Sequence, residues 1–146
     1  MKKSVRLRPV RDIKEQQERQ EARKLAELQR QLLLARKQLD DLQGYLKEYF
    51  ASVNAARQHV TQASQLGLYQ VFIQRLQEAI QHQAQLIKQR ELVVQAQTRK
   101  WLEASTRLKT MDDLIARARQ QEEIAEDKRE QKLLDDRPFR APGGFE

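Results

Sequence analysis

Few residues in this chain of 146 have side chains suited to catalysis or metal binding, and those few are scattered. There is no cysteine, and the only histidines are His59 and His82. No glycine-rich phosphate loop, nucleophile elbow or metal-ligand spacing occurs. An active site also needs side chains held in a concave, preorganised place. We therefore predict no enzymatic activity, no cofactor, no metal and no small-molecule substrate, and interpret both histidines as surface or interface residues.

Positive charge gathers at the N-terminus, and the formal net charge of the chain is +7. The basic residues there are Lys2, Lys3, Arg6, Arg8 and Arg11, with no acid among them. Such a segment can be a solvated, frayed end, or it can bind nucleic-acid phosphates or an anionic protein surface. A DNA-binding basic helix normally runs into a parallel zipper. The coil predicted below is antiparallel, so nucleic acid is the disfavoured partner.

The composition is typical of a long helix or coiled coil rather than of a globular core. Charged residues make up 34% of the chain and aromatic residues 5%, with four glycines and three prolines. No apolar run approaches the roughly 20 residues of a membrane-spanning helix. The N-terminus lacks the apolar stretch of a secretory signal. We expect a soluble, cytoplasmic protein.

Two apolar seams run along the sequence in alternating steps of three and four residues, the spacing of a helix that packs in a supercoil. The first seam comprises Leu25, Leu28, Leu32, Ala35, Leu39, Leu42, Leu46, Tyr49, Val53, Ala56 and Val60. The second comprises Ile73, Leu76, Ile80, Ile87, Val94, Trp101, Ala104, Leu108 and Met111. Polar layers at Gln83, Arg90 and Gln97 interrupt the second seam, and we interpret them as long side chains reaching outward from its edge.

Helix and turn signals divide the chain into five parts. Pro9 is suited to a helix start, Gly67 precedes the second seam, and Pro138 and Pro142 follow its end. The predicted parts are a basic N-terminal segment (1–11), a first helix (10–60), a turn (61–68), a second helix (69–135) and a disordered tail (136–146).

A short turn makes the two helices antiparallel neighbours. Folding the chain about this turn predicts that Ile87 faces Leu42 and that basic Lys3 lies near acidic Glu126. The predicted fold is all-α: a long antiparallel two-helix coiled-coil hairpin with frayed or disordered termini. Seams alone do not fix orientation, so a parallel dimer of two chains stays open.

A second apolar stripe lies one heptad position before the second seam and consists of Phe72, Ala79, Leu86 and Val93. With Leu76 it offers more apolar surface than one partner helix covers. Surplus apolar surface of this kind can dock a third element, or it can simply broaden the seam. The residues alone leave this choice even. Trp101 is interpreted as a packing residue of the seam in preference to a partner-binding anchor.

The run from Tyr69 to Ile80 begins Tyr-Gln-x-Phe-Ile and is followed by Trp101 and Leu108. Together with the aromatic Tyr45/Tyr49 region and the position of the turn, it resembles the flagellar type III export protein family named FliJ. The resemblance extends over most of the chain. One departure is that the family tends to have a histidine where this chain has Gln83.

The resemblance implies a fold, a function and a set of partners. Members of the family are long antiparallel coiled coils, similar to the central stalk of rotary ATPases. The implied partners are the hexameric export ATPase, the cytoplasmic part of the membrane export gate, and export chaperones. The implied location is the cytoplasm, peripheral to the inner membrane only through those partners. The resemblance assigns the gate-facing surface to Phe72, Leu76 and Ala79, and the end that enters the ATPase ring to the open end of the hairpin.

Two other functions compete with this expectation. The first is the corresponding stalk of a virulence type III secretion system. The second is a basic coiled-coil adaptor that binds nucleic acid or anionic membrane through the segment Lys2 to Arg11.

Overall fold

Two long helices make up the structure, a computed structural model that describes residues 1–59 and 63–137. Helix α1 covers Lys3–His59 and helix α2 covers Ala63–Asp135, and no strand occurs among the described residues. The helices pack against each other. This confirms the predicted all-α pair of long helices.

Helix α1 begins earlier than the sequence predicted. We expected a separate basic segment and a helix from about Val10, but the helix begins at Lys3 and includes Pro9. A proline inside a helix removes one backbone hydrogen bond, which disfavours it there. The first turn has compensating contacts, because the backbone N–H and hydroxyl of Ser4 both donate to Glu122 of α2.

Helix α2 also begins earlier than predicted. It starts at Ala63, so the part of the predicted turn from 63 to 68 is helical. Gly67 lies in open space, where a side chain would meet nothing within 4 Å. The helix ends at Asp135. The predicted tail falls mainly on residues 138–146, which lie outside the described residues.

The chain divides into two compact units, and each contains a piece of both helices. The central unit is Gln20–Leu102, and the terminal unit comprises Met1–Arg19 and Glu103–Glu146. In the central unit the core consists of Leu32, Ala35 and Ile87, with Leu39 and Val94 packed against them. Among the described residues of the terminal unit, the buried ones are Ser4, Ala104, Ile115 and Ala118.

The seam residues face inward in both units. Every member whose side chain is described is buried or half-buried, whereas most neighbouring positions are exposed. On α1 the same spacing continues toward the N-terminus through residues that the apolar pattern did not include. These are Ser4, Leu7, Arg11, Lys14, Glu18 and Glu21, all buried or half-buried.

The predicted register of the central unit is wrong. Ile87 packs with Leu32 and Ala35, not with Leu42. The helices are therefore offset from the prediction by about two helical turns or more. Leucines are interchangeable as partners for Ile87, so the apolar pattern could not distinguish these two registers. The polar residues of the second seam can distinguish them.

Candidate interaction surfaces and polar interhelical layers

The polar residues of the second seam point across the interface toward α1. Gln83 donates from Nε2 to the Ala35 carbonyl oxygen at 3.0 Å and to Gln38 Oε1 at 3.1 Å. Arg90 donates from Nη1 to Gln31 Oε1 at 2.9 Å. The prediction that these side chains reach outward from the seam edge is wrong. In the observed register each meets a polar partner, whereas in the predicted register each would have faced a leucine.

Gln97 forms the third polar layer and is 7% exposed. Its Nε2 donates to the backbone oxygen of Glu21 at 3.1 Å and also to the Glu21 carboxylate. That hydrogen bond lowers the pKa of Glu21, because it stabilises the charged form. Polar layers within a coiled coil fix register at some cost in stability.

Phe72 is half-exposed although its ring is held on one side. The ring centroid lies 4.4 Å from that of Tyr49 on α1, at an interplanar angle of 35°. Tyr49 also contacts Tyr69 edge-on at 5.4 Å. Phe72 keeps 47% of its surface accessible, and Tyr45 keeps 58%. Aromatic contacts of this kind prefer defined geometries. The result is an oriented ring with a free face.

The second apolar stripe is only partly covered by α1. Phe72, Ala79 and Val93 are exposed, and Leu86 is half-buried. Leu76 belongs to the seam and is half-buried. Within the central unit, α1 therefore leaves part of this stripe open to solvent.

The two helix segments of the terminal unit are joined by charged contacts. Lys2 Nζ lies 3.0 Å from Glu126 Oε1, so Lys2 takes the position predicted for Lys3. Arg11 donates from Nε to Asp112 Oδ1 at 2.8 Å. An open groove of about 450 Å³ adjoins this pair and is lined by charges of both signs.

Glu122 accepts two hydrogen bonds at the first turn of α1. The Ser4 backbone N–H donates at 3.0 Å and its hydroxyl at 2.7 Å. These bonds lower the pKa of Glu122, since both stabilise the carboxylate. Ser4 is 6% exposed and Glu122 is half-buried, so this contact is a partly buried polar layer of the terminal unit.

The candidate catalytic and metal-binding residues are the two histidines. His82 is exposed on α2, and the side chain of His59 lies outside the described residues. Within 1–59 and 63–137, no group of three or more His, Asp or Glu side chains could hold a metal ion. Over the same residues, neither helix has a stretch apolar and long enough to cross a membrane.

Two long helices packed along heptad seams, with polar layers between them, define a coiled-coil protein. The family model described as "Flagellar FliJ protein" matches residues 1–141. The chain belongs to this family of flagellar proteins, and its role is therefore associated with flagellar protein export. No curated protein and no solved structure matches the chain.

Proposed function

We propose that this chain is a non-catalytic central stalk of the hexameric flagellar export ATPase and couples that ATPase to the cytoplasmic part of the export gate. Its family membership supports a role in export. The observation that carries the coupling role is the half-exposed Phe72 ring, oriented by Tyr49. Promotion of ATPase assembly and handling of export chaperones belong to the same proposal. The proposal also includes a cytoplasmic location, in which the chain associates with the inner membrane only through these partners.

The gate-contact surface is proposed to consist of Phe72, Leu76 and Ala79. An aromatic anchor beside apolar neighbours is the usual centre of a protein interface. Phe72 offers its free face, and the contact with Tyr49 reduces the side-chain freedom that binding would otherwise have to remove. A partner can cover this ring without disturbing the seam residues beneath it.

The ring-contact surface is proposed to lie on the terminal unit. A pair of helices has no six-fold symmetry, so inside a hexameric ring it contacts the subunits unequally. It can then stabilise their conformations in turn through differential affinity. Lys3, Arg6 and Arg8 are exposed there and suit acidic residues on the ring.

The adaptor function has less support than the stalk. Of the basic residues it would use, Lys2 is paired with Glu126 and Arg11 with Asp112. These pairs reduce the charge available for phosphates. The virulence-system stalk shares the proposed mechanism, but the matching family is the flagellar one.

The gate contact is tested by titrating the full chain against the purified cytoplasmic part of the export gate. Phe72→Ala should weaken binding at least tenfold, as expected for an interface anchor. Val71→Ala is a matched control, because Val71 is 49% exposed, adjacent in sequence and on a different face of α2. It should change affinity less than twofold. Equal effects of the two substitutions would remove the case for a gate surface centred on Phe72.

The ring contact is tested by ATP turnover of the export ATPase over a concentration series of the chain. The wild-type chain should raise turnover in a saturable manner, and the charge reversals Arg6→Glu and Arg8→Glu together should reduce that effect. The same double variant should keep full gate affinity. Unchanged turnover with the wild-type chain, together with salt-dependent binding to DNA or anionic vesicles, would favour the adaptor instead.

A further inference from the structure

The α1 part of the terminal unit, which we call the arm (Met1–Arg19), faces α2 with mostly polar side chains. Its inward positions, all buried or half-buried, are Ser4, Leu7, Arg11, Lys14 and Glu18. Only Leu7 among them is apolar. The arm also contains Val5, Val10 and Ile13, but these side chains are exposed. The arm therefore buries little apolar surface of its own.

The face of α2 that packs within the terminal unit is apolar along its whole length. It consists of Ala104, Leu108, Met111, Ile115 and Ala118, all buried or half-buried. The stem of a lysine or a glutamate can cover such a face, but its charged end stays in water. Polar residues at seam positions also lower the stability of a coiled coil. The arm is therefore a weaker cover for this face than an apolar helix would be.

Opposite charge helps to hold the arm in place. The arm contains seven Lys and Arg against three Asp and Glu, whereas residues 103–137 contain ten Asp and Glu against eight Lys and Arg. Lys2 pairs with Glu126 at 3.0 Å and Arg11 with Asp112 at 2.8 Å. Both side chains of the first pair are 56% exposed. Exposed pairs contribute little stability, and salt screens them.

Pro9 weakens the arm further, because a proline inside a helix removes one backbone hydrogen bond. The central unit, residues 20–102, contains no proline. Its core is the apolar cluster of Leu32, Ala35 and Ile87. Segments with few buried apolar contacts open at a lower free energy than packed cores. The arm should therefore open more often than the helix pair of the central unit.

We propose that the arm is a releasable cover over the apolar face of α2. It leaves α2 as one piece while the helices of the central unit stay paired, and its release uncovers the face from Ala104 to Ala118. Salt favours release, because the charged contacts of the arm weaken while the apolar core of the central unit does not. This inference goes beyond the proposed function and does not depend on it.

The test measures how often buried positions become accessible to a small thiol reagent. The chain has no cysteine, so a single one reports on its own site. Three alanines are suited to substitution because all are almost fully buried. Ala104 and Ala118 are 5% and 4% exposed in the terminal unit, and Ala35 is 3% exposed in the central unit. The full chain carries Ala104→Cys, Ala118→Cys or Ala35→Cys, and circular dichroism confirms that each variant keeps its helix content.

Each labelling rate is divided by the rate of the same chain unfolded in urea. The thiols at 104 and 118 should react at rates within about threefold of each other, because one opening event exposes both. Both should react about tenfold or more faster than the thiol at 35. Raising NaCl from about 0.05 M to about 0.5 M should speed labelling at 104 and 118 about threefold or more, and at 35 less than about twofold.

A substitution that makes the arm a better cover should close it. Lys14→Leu places an apolar side chain at a half-buried inward position and should slow labelling at 104 and 118 about fivefold or more. Gln17→Leu is the matched control, since Gln17 is exposed on the same segment of α1. It should change these rates less than about twofold.

Three results would overturn the proposal. The first is labelling at 104 and 118 that is as slow as at 35, which would show that the arm stays in place. The second is fast labelling at 118 with slow labelling at 104, which would show that the helix end frays instead of leaving as one piece. The third is an equal effect of Lys14→Leu and Gln17→Leu, which would show that the inward position does not control release.

Discussion

The register of the central unit can be tested by a double-mutant cycle at Ile87. Ile87 is 7% exposed and packs with Leu32 and Ala35. Truncating a buried isoleucine to alanine costs about 2–5 kcal/mol in a closed core. Water reaches a two-helix seam more easily than a closed core, so we expect Ile87→Ala to lower the free energy of unfolding by about 2 kcal/mol.

The partner of Ile87 decides between the two registers. In the observed register Leu32 lies in the same cluster as Ile87, and Leu42 lies about 15 Å further along α1. The pair Ile87→Ala and Leu32→Ala should therefore show a coupling energy of about 0.5 kcal/mol or more. The pair Ile87→Ala and Leu42→Ala should be additive within about 0.5 kcal/mol.

Urea unfolding followed by circular dichroism provides the four free energies of each cycle. Leu92→Ala is the control for truncation without burial, because Leu92 is 65% exposed. It should change stability by less than about 0.5 kcal/mol. Coupling between Ile87 and Leu42, combined with additivity between Ile87 and Leu32, would contradict the observed register.

Three further predictions concern single residues. Arg90→Met should raise the free energy of unfolding by about 1 kcal/mol in urea, because an apolar side chain at this half-buried seam position packs at a stability gain larger than the single hydrogen bond to Gln31 contributes; a loss of similar size would contradict this. In the folded state the pKa of Glu122 lies below its ordinary value of 4.5. The stability that the ionised Glu122 carboxylate contributes is therefore present above pH 4.5 and is lost as the pH falls through the folded pKa. Glu122→Gln should therefore flatten the dependence of Tm on pH in that acidic range, and an unchanged profile would show that the bonds from Ser4 contribute nothing. Pro9→Ala should stabilise α1 by up to about 3 kcal/mol, seen as slower amide exchange near residue 9, and faster exchange would show that proline is favoured there.

Helical periodicity was sufficient to predict that the apolar residues of the two seams face inward. Ile87, Val94 and Leu32 follow the three-and-four spacing, and each is buried or half-buried. The register was not predictable from apolar spacing, because a leucine at 32 and one at 42 offer Ile87 nearly the same surface. Polar layers decide the register instead. Gln97 is buried, and its amide donates to Glu21, a pairing that the predicted register would not make.

The N-terminal continuation of the α1 seam was missed because its members are mostly polar. Arg11, Lys14 and Glu18 occupy inward positions but do not contribute to an apolar pattern. The signal that could have revealed them is the unbroken spacing from Leu25 back to Leu7 and Ser4. Extending the heptad by position rather than by hydropathy would have placed the helix start before Pro9.

The candidate surfaces could be predicted only in part from the sequence. The spacing of the second stripe identified Phe72 and Val93 as surplus to the seam, but it could not show how much of each stays exposed. The contact between Phe72 and Tyr49 depends on the register, so the periodicity of one helix cannot reveal it.

The central claim is that one chain acts as the stalk of one ATPase ring. Native mass spectrometry of the purified export ATPase mixed with the full chain, in the presence of nucleotide, measures the stoichiometry directly. The stalk predicts one chain bound to each hexamer, and more hexamers in its presence than in its absence. One chain bound to each ATPase subunit, or hexamers that form equally well without the chain, would contradict the account.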